Sequence, residues 1–374
     1  MKFTVSSTAL FSHLQAISRV INSKNTLPIL DCFLFDIVNQ QLTVTASDGE
    51  NRLNTTLEVN ESEGDVRFAV SAKTLLDAVK EIPEQPITFT LKGNYEMEIS
   101  YRNGVYNIVG QNADEYPIEV AMGDDKVCFE MDASMLLSGI NNTIFATAND
   151  ELRPVMNGIY FDMTPQTVVM VASDGHKLSR KTYSDMSVNE QRASFILPNK
   201  PASLLKGLLS KEEGNVSICF DARNAVFILS GFRMSCRLIE GRYPNYNSVI
   251  PQNNPYRITV DRQLLISALR RVSVFSDASS NQIKLYIEPS KLTISAQDLD
   301  FSTSAEETME CEYQGESMKI GFNGIYFIET LNNIPSQNVM IELADPSRAG
   351  IILPLEQEEK SELLILIMPM MLND

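Results

Sequence analysis

Hydrophobic positions recur with two different periods along the chain. From Thr8 to Ile21 the apolar residues fall on one face of a helix, whereas Leu42 to Ser47 alternates apolar residues with Thr and Ser, as a strand does. The first 110 residues therefore predict two successive runs of a strand, a helix and three further strands. The predicted elements are a strand at 2–5, a helix at 8–21, strands at 34–38, 42–47 and 52–59, a strand leading into a helix at 71–80, and strands at 87–91, 97–101 and 105–110.

Segments of this pattern return at a nearly constant spacing. A strand that ends at Asp48 has counterparts ending at Asp174 and Asp298, which follow after 126 and 124 positions. Tyr116-Pro117 returns as Tyr243-Pro244, 127 positions on. A third marker, a strand that enters a helix, occurs at 68–73, 195–200 and 320–324. Ordered markers at one spacing indicate three copies of one domain.

The repeats predict both the domain boundaries and the fold class. Polar, turn-rich junctions divide the chain into copies at 1–122, 123–251 and 252–374. Because most strands follow one another through short turns, we expect antiparallel sheets with the helices on one side of them. The predicted class is α+β, with two helices in each copy.

The charge of the chain limits how it could contact nucleic acid. The 374 residues include 31 basic and 48 acidic side chains, a formal net charge of −17. A protein that holds DNA through bulk charge should be basic instead. The six predicted helical segments nevertheless carry eight basic and four acidic residues, so any polyanion-binding surface would be local to the helices.

Few residues are available for catalysis or metal binding. The chain has two histidines, His13 and His176, and lacks the glycine-rich nucleotide motifs and the nucleophile-elbow motif of hydrolases. An enzyme could use Asp48, Asp174 and Asp298 as carboxylates, but one aspartate per domain separates them beyond the reach of acid–base pairs. We therefore expect no enzymatic activity, no cofactor and no metal.

The cysteines and the apolar runs indicate a cytoplasmic protein. The five cysteines are scattered and never form a C-x-x-C pair, which predicts reduced and mostly buried thiols. No apolar stretch of the secretory type follows Met1. The longest apolar run, 363–372, contains Pro369 and is half the length that a membrane helix needs.

Several short motifs resemble one known family over the whole length of the chain. They are Thr26-Leu27-Pro28-Ile29-Leu30, the segments 173–178 (SDGHKL) and 241–246 (GRYPNY), and Met368-Pro369-Met370 near the end. Together with three tandem domains, they resemble the beta subunit of bacterial DNA polymerase III, the beta sliding clamp. The resemblance implies a head-to-tail homodimer that closes into a ring of six domains, with helices lining the hole and sheets outside.

The resemblance also implies a function. Members of this family encircle double-stranded DNA without sequence specificity, slide along it and tether the replicative polymerase, and they have no catalytic activity. A ring held by topology needs no tight phosphate contacts, which agrees with the acidic composition. The clamp loader and repair proteins would bind through short linear peptides in a groove between the second and third domains.

Residues of this groove can be carried over by motif. The implied walls are Met156, Ser173, Gly175, His176, Lys177, Leu178, Pro244, Val249, Ile367, Met368, Pro369, Met370, Met371 and Leu372. Methionine and aliphatic side chains would form an adaptable apolar pocket. The chain departs from the family at Met371, Lys177 and Ser248, where basic residues or arginine are common, and in the Asn373-Asp374 extension. Core packing of a last strand is the alternative role for residues 368–372.

Two further sets of residues follow from the resemblance. Contacts to DNA are expected at Lys24, Lys73, Asn149 and Lys200. The dimer interface is expected at Tyr106, Ile108, Val274 and Phe275, where two edge strands would pair between protomers. An alternative function is a repeat scaffold that binds peptides without forming a ring. The two hypotheses differ in one property: only the clamp would close into a ring around a hole lined with cationic side chains.

Overall fold

The computed structural model describes residues 1–62, 64–119, 121–186, 188, 190 and 192–372 of the chain. Within them, one module of a strand, a helix and three strands occurs six times, which confirms the predicted order. The first two modules are β1 (Lys2–Ser6), α1 (Ser7–Ser18), β2 (Cys32–Val38), β3 (Gln41–Ser47) and β4 (Asn51–Glu58), then β5 (Val66–Ser71), α2 (Ala72–Val79), β6 (Pro86–Leu91), β7 (Glu96–Tyr101) and β8 (Gly104–Val109).

The remaining modules repeat the same order. The third and fourth are β9 (Val127–Asp132), α3 (Ala133–Thr143), β10 (Gly158–Met163), β11 (Thr167–Ser173) and β12 (Lys177–Ser184), then β13 (Ala193–Pro198), α4 (Asn199–Leu209), β14 (Asn215–Phe220), β15 (Asn224–Ile228) and β16 (Phe232–Arg237). The last two are β17 (Tyr256–Asp261), α5 (Arg262–Ser273), β18 (Gln282–Glu288), β19 (Lys291–Asp298), β20 (Thr303–Glu310) and the short β21 (Glu312–Tyr313), then β22 (Met318–Asn323), α6 (Gly324–Asn332), β23 (Asn338–Leu343), β24 (Gly350–Pro354) and β25 (Ser361–Ile367).

Five of the six described helices start where a polar side chain ends the preceding strand, and α4 follows Pro198 instead. The hydroxyl of Ser6 accepts a hydrogen bond from the backbone N–H of Ala9 at 3.2 Å, and the carboxylate of Asp261 accepts one from Leu264 at 2.8 Å. The amide oxygen of Asn323 does the same for α6. These caps satisfy backbone donors that the first helical turn leaves unpaired, so the strand-to-helix junctions are encoded locally.

The strands form four sheets in which the described pairings are antiparallel, as predicted. Two sheets have four strands, in the orders β1-β6-β7-β8 and β20-β19-β18-β22. The other two have eight and nine, in the orders β5-β2-β3-β4-β16-β15-β14-β9 and β13-β10-β11-β12-β25-β24-β23-β17-β21. The two large sheets arise because β4 pairs with β16 and β12 pairs with β25, so each continues from one module into another that is distant in sequence.

These two junctions organise the chain into two compact units. One contains residues 1–137 and 203–238, and the other contains residues 138–202 and 239–374. The second unit has a core of aliphatic and aromatic side chains beneath α5 and α6, which includes Leu265, Phe322 and Phe327. In the first unit, Phe35 packs between Phe68 and Phe89. Each unit therefore has an apolar core of its own.

The prediction that all five cysteines are reduced is wrong for one pair. Cys128 and Cys219 form a disulfide, whereas Cys32, Cys236 and Cys311 are free and buried. The pair lies directly opposite in the antiparallel register of β9 and β14. Their separation of 91 residues gives no hint of this proximity, which is created by the pairing of the two strands. No helix in the described part of the chain is both long and apolar enough to cross a membrane.

Candidate functional site

A tight turn between β11 and β12 positions the first wall of the site. One carboxylate oxygen of Asp174 accepts hydrogen bonds from the backbone N–H groups of His176 and Lys177, at 2.8 and 2.9 Å. Gly175 has a φ of +92°, a conformation that side chains disfavour. The hydroxyl of Ser173 donates to the carbonyl of Lys177 at 2.9 Å and closes the turn. The turn therefore fixes where β12 begins.

Lys177 carries a buried positive charge at the base of this turn. Its side chain is 5% exposed, and its Nζ lies 2.6 Å from an oxygen of Asp174 and 3.1 Å from an oxygen of Glu329. The same nitrogen lies 4.6 Å from the centre of the Tyr326 ring. Burial opposes the charge, but the two carboxylates outweigh it and raise the pKa of Lys177 above its ordinary value. The lysine is thus held as a paired cation.

An apolar cleft of about 260 Å³ opens beside this turn. Its volume is slightly below the usual range of roughly 300–1,000 Å³ for ligand pockets. The lining residues come from the turn, from the loop after β16 and from the end of β25. They are Met156, Ser173, Gly175, Lys177, Leu178, Tyr243, Pro244, Asn245, Tyr246, Val249, Leu366 and Met368.

Aromatic contacts and a buried carboxylate support the walls of the apolar cleft. The rings of Tyr160 and Tyr243 stack with centroids 4.7 Å apart. The hydroxyl of Tyr246 donates to Asp162 at 2.9 Å, and Arg192 binds both oxygens of the same carboxylate at 2.9 and 2.7 Å. Burial and the nearby charge of Asp162 raise the pKa of Tyr246 to about 12. The hydroxyl therefore stays a hydrogen-bond donor at neutral pH.

The last strand contributes alternate residues to the apolar cleft and to a core. Leu364 and Leu366 face one hydrophobic cluster, and Met368 follows on the same side. Ile365 and Ile367 belong to the core under α5 and α6 instead. Ile367 is therefore not in the cleft lining, although the sequence analysis expected it there. The reason is the period of two along a strand: Leu366 occupies the wall, and its neighbour points to the opposite face.

Other expected groove residues lie outside this lining. His176 is exposed, and its ring stacks on Tyr326 at 5.6 Å rather than entering the cleft. The tail beyond Met368 follows β22: the N–H of Met370 donates to the carbonyl of Gly321 at 2.8 Å, and the carbonyl of Met371 accepts from Gln282 at 2.8 Å. Pro369 is half-buried and Leu372 packs near Gly321, also away from the apolar cleft. Asn373 and Asp374 lie outside the described residues.

The sequence analysis missed four lining residues. Tyr243, Asn245 and Tyr246 flank the expected Pro244, and Leu366 lies two residues before the expected Met368. The signal for Leu366 was present in the alternation of β25. Since both faces of that strand are buried, the alternation did not reveal which face belongs to the apolar cleft.

The residues expected to contact DNA lie at helix ends and in loops. Lys24 and Asn149 are exposed in segments that follow α1 and α3. Lys73 and Lys200 each occupy the second position of a helix, α2 and α4. A basic side chain there opposes the helix dipole, so neither lysine favours its own helix. In the part of the chain that the structure describes, none of the six helices has an acidic residue in its first turn.

The residues expected at the dimer interface lie near sheet edges. Tyr106 and Ile108 are half-buried on β8, the edge of one four-stranded sheet, and β20 is the edge of the other. The hydroxyls of Tyr106 and Tyr101 are 2.8 Å apart. Val274 and Phe275 follow α5 and are exposed. Both sheets thus present an unpaired edge strand, which proteins usually cover.

One group of carboxylates could be mistaken for a metal site. Ligand oxygens of Asp277, Asp298 and Asp300 lie within 4.8 Å of one another. However, Asp298 accepts hydrogen bonds from the N–H groups of Asp300 and Phe301, and Asp277 accepts them from the segment that follows it. Asp277 and Asp298 therefore cap their own turns, which accounts for the position of these two carboxylates without an ion.

Sequence profiles of three successive domains match the chain. They describe the N-terminal, central and C-terminal domains of the DNA polymerase III beta subunit, over residues 1–121, 130–245 and 247–371. The chain belongs to the DNA polymerase III beta subunit family. The beta sliding clamp of Haemophilus influenzae is 29% identical over 373 residues, with 100% of both chains covered.

Solved structures of this family have the same fold. The DNA polymerase sliding clamp from Pseudomonas aeruginosa matches with a TM-score of 0.93 and 26% identity, and the sliding clamp from Bartonella birtlesii bound to griselimycin matches with 0.92 and 28%. In both comparisons 100% of each chain is covered. The expected α+β fold of three clamp domains is therefore confirmed.

Membership of the DNA polymerase III beta subunit family establishes the function in outline. The chain is a processivity factor of DNA replication and not an enzyme. Beta sliding clamps act as dimers that encircle DNA and bind the polymerase and other proteins. The largely apolar and aromatic lining of the cleft agrees with the binding of partner proteins.

Proposed function

We propose that the apolar cleft is the site at which this clamp binds the linear peptides of the replicative polymerase, the clamp loader and repair proteins. The observation that carries the proposal is the lining itself: leucine, valine, proline and methionine side chains surround a cavity whose lysine is neutralised by Asp174 and Glu329. Apolar side chains of a short peptide gain free energy by leaving water there. Met368, which is 42% exposed, can adapt to different peptides.

Tethering explains how modest affinity in the apolar cleft supports processive synthesis. A ring that surrounds the duplex cannot diffuse away, so a polymerase held by a peptide stays near the primer end. Its effective concentration there rises without any new contact to the bases. The peptide can therefore dissociate and exchange between partners while the clamp remains on DNA.

We assign the DNA contacts to Lys24, Lys73, Asn149 and Lys200. Three of them are exposed, and Lys200 is half-buried at the start of its helix. Lysines at positions where the helix dipole disfavours them, together with first turns that lack acids, support a surface that meets phosphates. Such contacts read no base sequence, which suits a protein that slides.

We assign the dimer interface to the edges β8 and β20 and to the segment after α5. Pairing of β8 in one protomer with β20 in its partner would satisfy both edges. Tyr106, Ile108, Val274 and Phe275 would pack beside that pairing, and two copies joined head to tail would close the ring.

We also propose clamp domains at 1–122, 123–251 and 252–374, and a cytoplasmic location, where replication takes place in bacteria.

The replacement Val249→Asp tests the apolar cleft directly. Val249 is 55% exposed, so the protein should fold, but the carboxylate would lie among apolar groups where a peptide side chain must bind. We expect processive synthesis on primed circular DNA, measured with the cognate polymerase and loader, to fall at least tenfold. Light scattering should still report a dimer.

The matched control is Val38→Asp, which adds the same charge at a valine that is 47% exposed and lies outside the apolar cleft. Synthesis should be unchanged with this variant. Equal activity of the Val249→Asp variant and the wild type would contradict the assignment of the apolar cleft.

A further inference from the structure

The turn beside the apolar cleft has a structural copy in the other compact unit. Between β3 and β4, one oxygen of Asp48 accepts hydrogen bonds from the N–H groups of Glu50 and Asn51, at 2.9 and 2.7 Å. The hydroxyl of Ser47 donates to the carbonyl of Asn51 at 2.8 Å, and Gly49 has a φ of +97°. Each of these features matches the turn at 173–177.

The strand junctions next to the two turns also match. Arg52 pairs with Ser235 in one large sheet, as Leu178 pairs with Leu366 in the other. The N–H of Arg237 donates to the carbonyl of Glu50 at 3.0 Å, and that of Met368 donates to the carbonyl of His176 at 2.8 Å. The backbone therefore builds two equivalent frames.

A second cleft of about 150 Å³ occupies this copied frame. We call it the arginine cleft. Its lining combines residues of the turn, of the segment after Tyr116 and of β15 and β16. They are Ser47, Gly49, Glu50, Asn51, Arg52, Pro117, Ile118, Glu119, Met122, Asn224, Val226, Ser235, Cys236 and Arg237.

The chemistry of the arginine cleft differs from that of the apolar cleft at equivalent positions. Arg52 replaces Leu178, Ser235 replaces Leu366 and Arg237 replaces Met368. The prolines are retained, because Pro117 corresponds to Pro244. An exposed aliphatic side chain, Ile118, remains at the rim. A ligand of this site must therefore offer a polar group to the floor and an apolar group to the rim.

Arg52 defines what that polar group is. Its Nε donates to the amide oxygen of Asn54 at 3.3 Å, and one terminal nitrogen donates to the carbonyl of Pro117 at 2.7 Å. Both acceptors are neutral. The charged groups around the guanidinium are Glu50 and Glu119 on one side and Arg67, Arg233 and Arg237 on the other, and Arg233 already binds Glu119. The local balance is positive, and a partly buried guanidinium gains most from a carboxylate.

The geometry points to a second peptide site in this clamp, one that takes an acidic side chain beside an aliphatic one. The carboxylate of a partner protein's linear peptide binds Arg52 on the floor of the arginine cleft, and the neighbouring aliphatic side chain packs on Ile118 and Met122. The site is independent of the peptide site proposed above, because each frame lies within its own compact unit.

A matched pair of peptides tests this site. The probes are acetyl-Gly-Leu-Asp-Gly-amide and its Asn counterpart, titrated into the full-length protein labelled with ¹³C at the methionine methyl groups. Met122 reports on the arginine cleft, while Met156 and Met368 report on the apolar cleft in the same spectrum. We expect the Asp peptide to shift Met122 saturably and the Asn peptide to bind there at least tenfold more weakly. The two peptides should affect Met368 equally.

Variants separate a specific site from general charge attraction. Arg52→Gln should weaken the Asp peptide at Met122 at least tenfold, whereas Arg102→Gln, at an exposed arginine outside the arginine cleft, should not. Because Arg52 also holds the carbonyl of Pro117, its variant could disturb the loop, and the comparison of the two peptides on the wild type does not depend on it. Equal binding of both peptides at Met122, or no response there, would overturn the inference.

Discussion

The apolar cleft and the arginine cleft share a backbone frame and differ in the side chains that fill it. In both, a serine, an aspartate and a glycine form the turn, and a strand from a distant module completes the wall. The side chains on the floor are leucines in one and arginine and serine in the other. The comparison teaches that the turn chemistry preserves the fold of each repeat, whereas a few strand-end positions set which side chains each cleft presents.

The two turns also differ in the residue that closes them. Asn51 donates its side-chain N–H to Asp48 at 2.9 Å, and Lys177 donates to Asp174 at 2.6 Å in the equivalent position. A neutral amide needs only hydrogen-bond partners, but a buried ammonium group also needs a countercharge. The frame of the apolar cleft therefore depends more strongly on its aspartate than the frame of the arginine cleft does.

Replacing Asp174 or Asp48 by alanine should give the largest difference in stability between the two turns. Asp174→Ala leaves the buried charge of Lys177 with Glu329 alone, and removing one partner of a buried pair typically costs ~3–5 kcal/mol. Asp48→Ala removes the hydrogen bonds that this carboxylate accepts from Glu50 and Asn51, for which about 1–3 kcal/mol is usual. Denaturant unfolding measures the free energy of unfolding of each variant, and hydrogen exchange measures the local stability of each turn.

A second substitution identifies the buried charge as the cause. Lys177→Met in the Asp174→Ala background should recover most of the lost stability, since no cation then remains buried. If the double variant is as unstable as Asp174→Ala, the loss comes from the turn hydrogen bonds, and the two frames are energetically alike.

The polar contacts that support the walls of the two clefts predict a smaller difference in stability. Tyr246→Phe removes a hydrogen bond to the buried carboxylate of Asp162, so we expect a loss of about 1.5–3 kcal/mol. The equivalent position in the arginine cleft is Glu119, whose pairing with Arg233 is partly exposed. Glu119→Gln should therefore cost less than about 1 kcal/mol. Thermal unfolding of both variants tests this order, and a larger loss for Glu119→Gln would refute it.

The sequence predicted the repeats well because their signals are local. Alternating strands, helix caps such as Ser6 and Asp261, and turn residues such as Gly175 act over a few positions, so one copy of the pattern predicts the next. The continuity of the large sheets could not be predicted in the same way. It depends on β4 meeting β16 and β12 meeting β25, and neither pairing leaves a periodic trace in the chain.

The candidate site was predictable only in part, for related reasons. Motif resemblance placed Leu178, Pro244 and Met368, and these residues line the apolar cleft. It did not distinguish Ile367 from Leu366, because a strand buried on both faces has no polar side to set its orientation. The disulfide between Cys128 and Cys219 escaped prediction because only the register of two strands brings it together.

The smallest expected effect tests whether the two frames are equivalent. Tyr116 and Tyr243 are buried in corresponding positions, and neither hydroxyl donates a hydrogen bond to the described residues. Burial raises the pKa of both phenols above the ordinary value of about 10. The folded state therefore binds these protons more tightly than the unfolded state. Their contribution to stability is fully present below about pH 10 and is lost as the pH rises toward the folded-state pKa.

Tyr116→Phe and Tyr243→Phe should each leave stability at pH 8 unchanged or raise it by up to about 1 kcal/mol, because each removes a buried hydroxyl that donates no hydrogen bond. Above pH 10, each variant should lose stability less steeply than the wild type, by about 1.4 kcal/mol per pH unit for each phenol removed. Urea midpoints measured from pH 8 to pH 11 give both values. Equal slopes for the two variants would mean that the clefts share their frame down to the buried tyrosine. A shallower slope for one variant alone would mean that the repeats have diverged beneath the lining as well as on it.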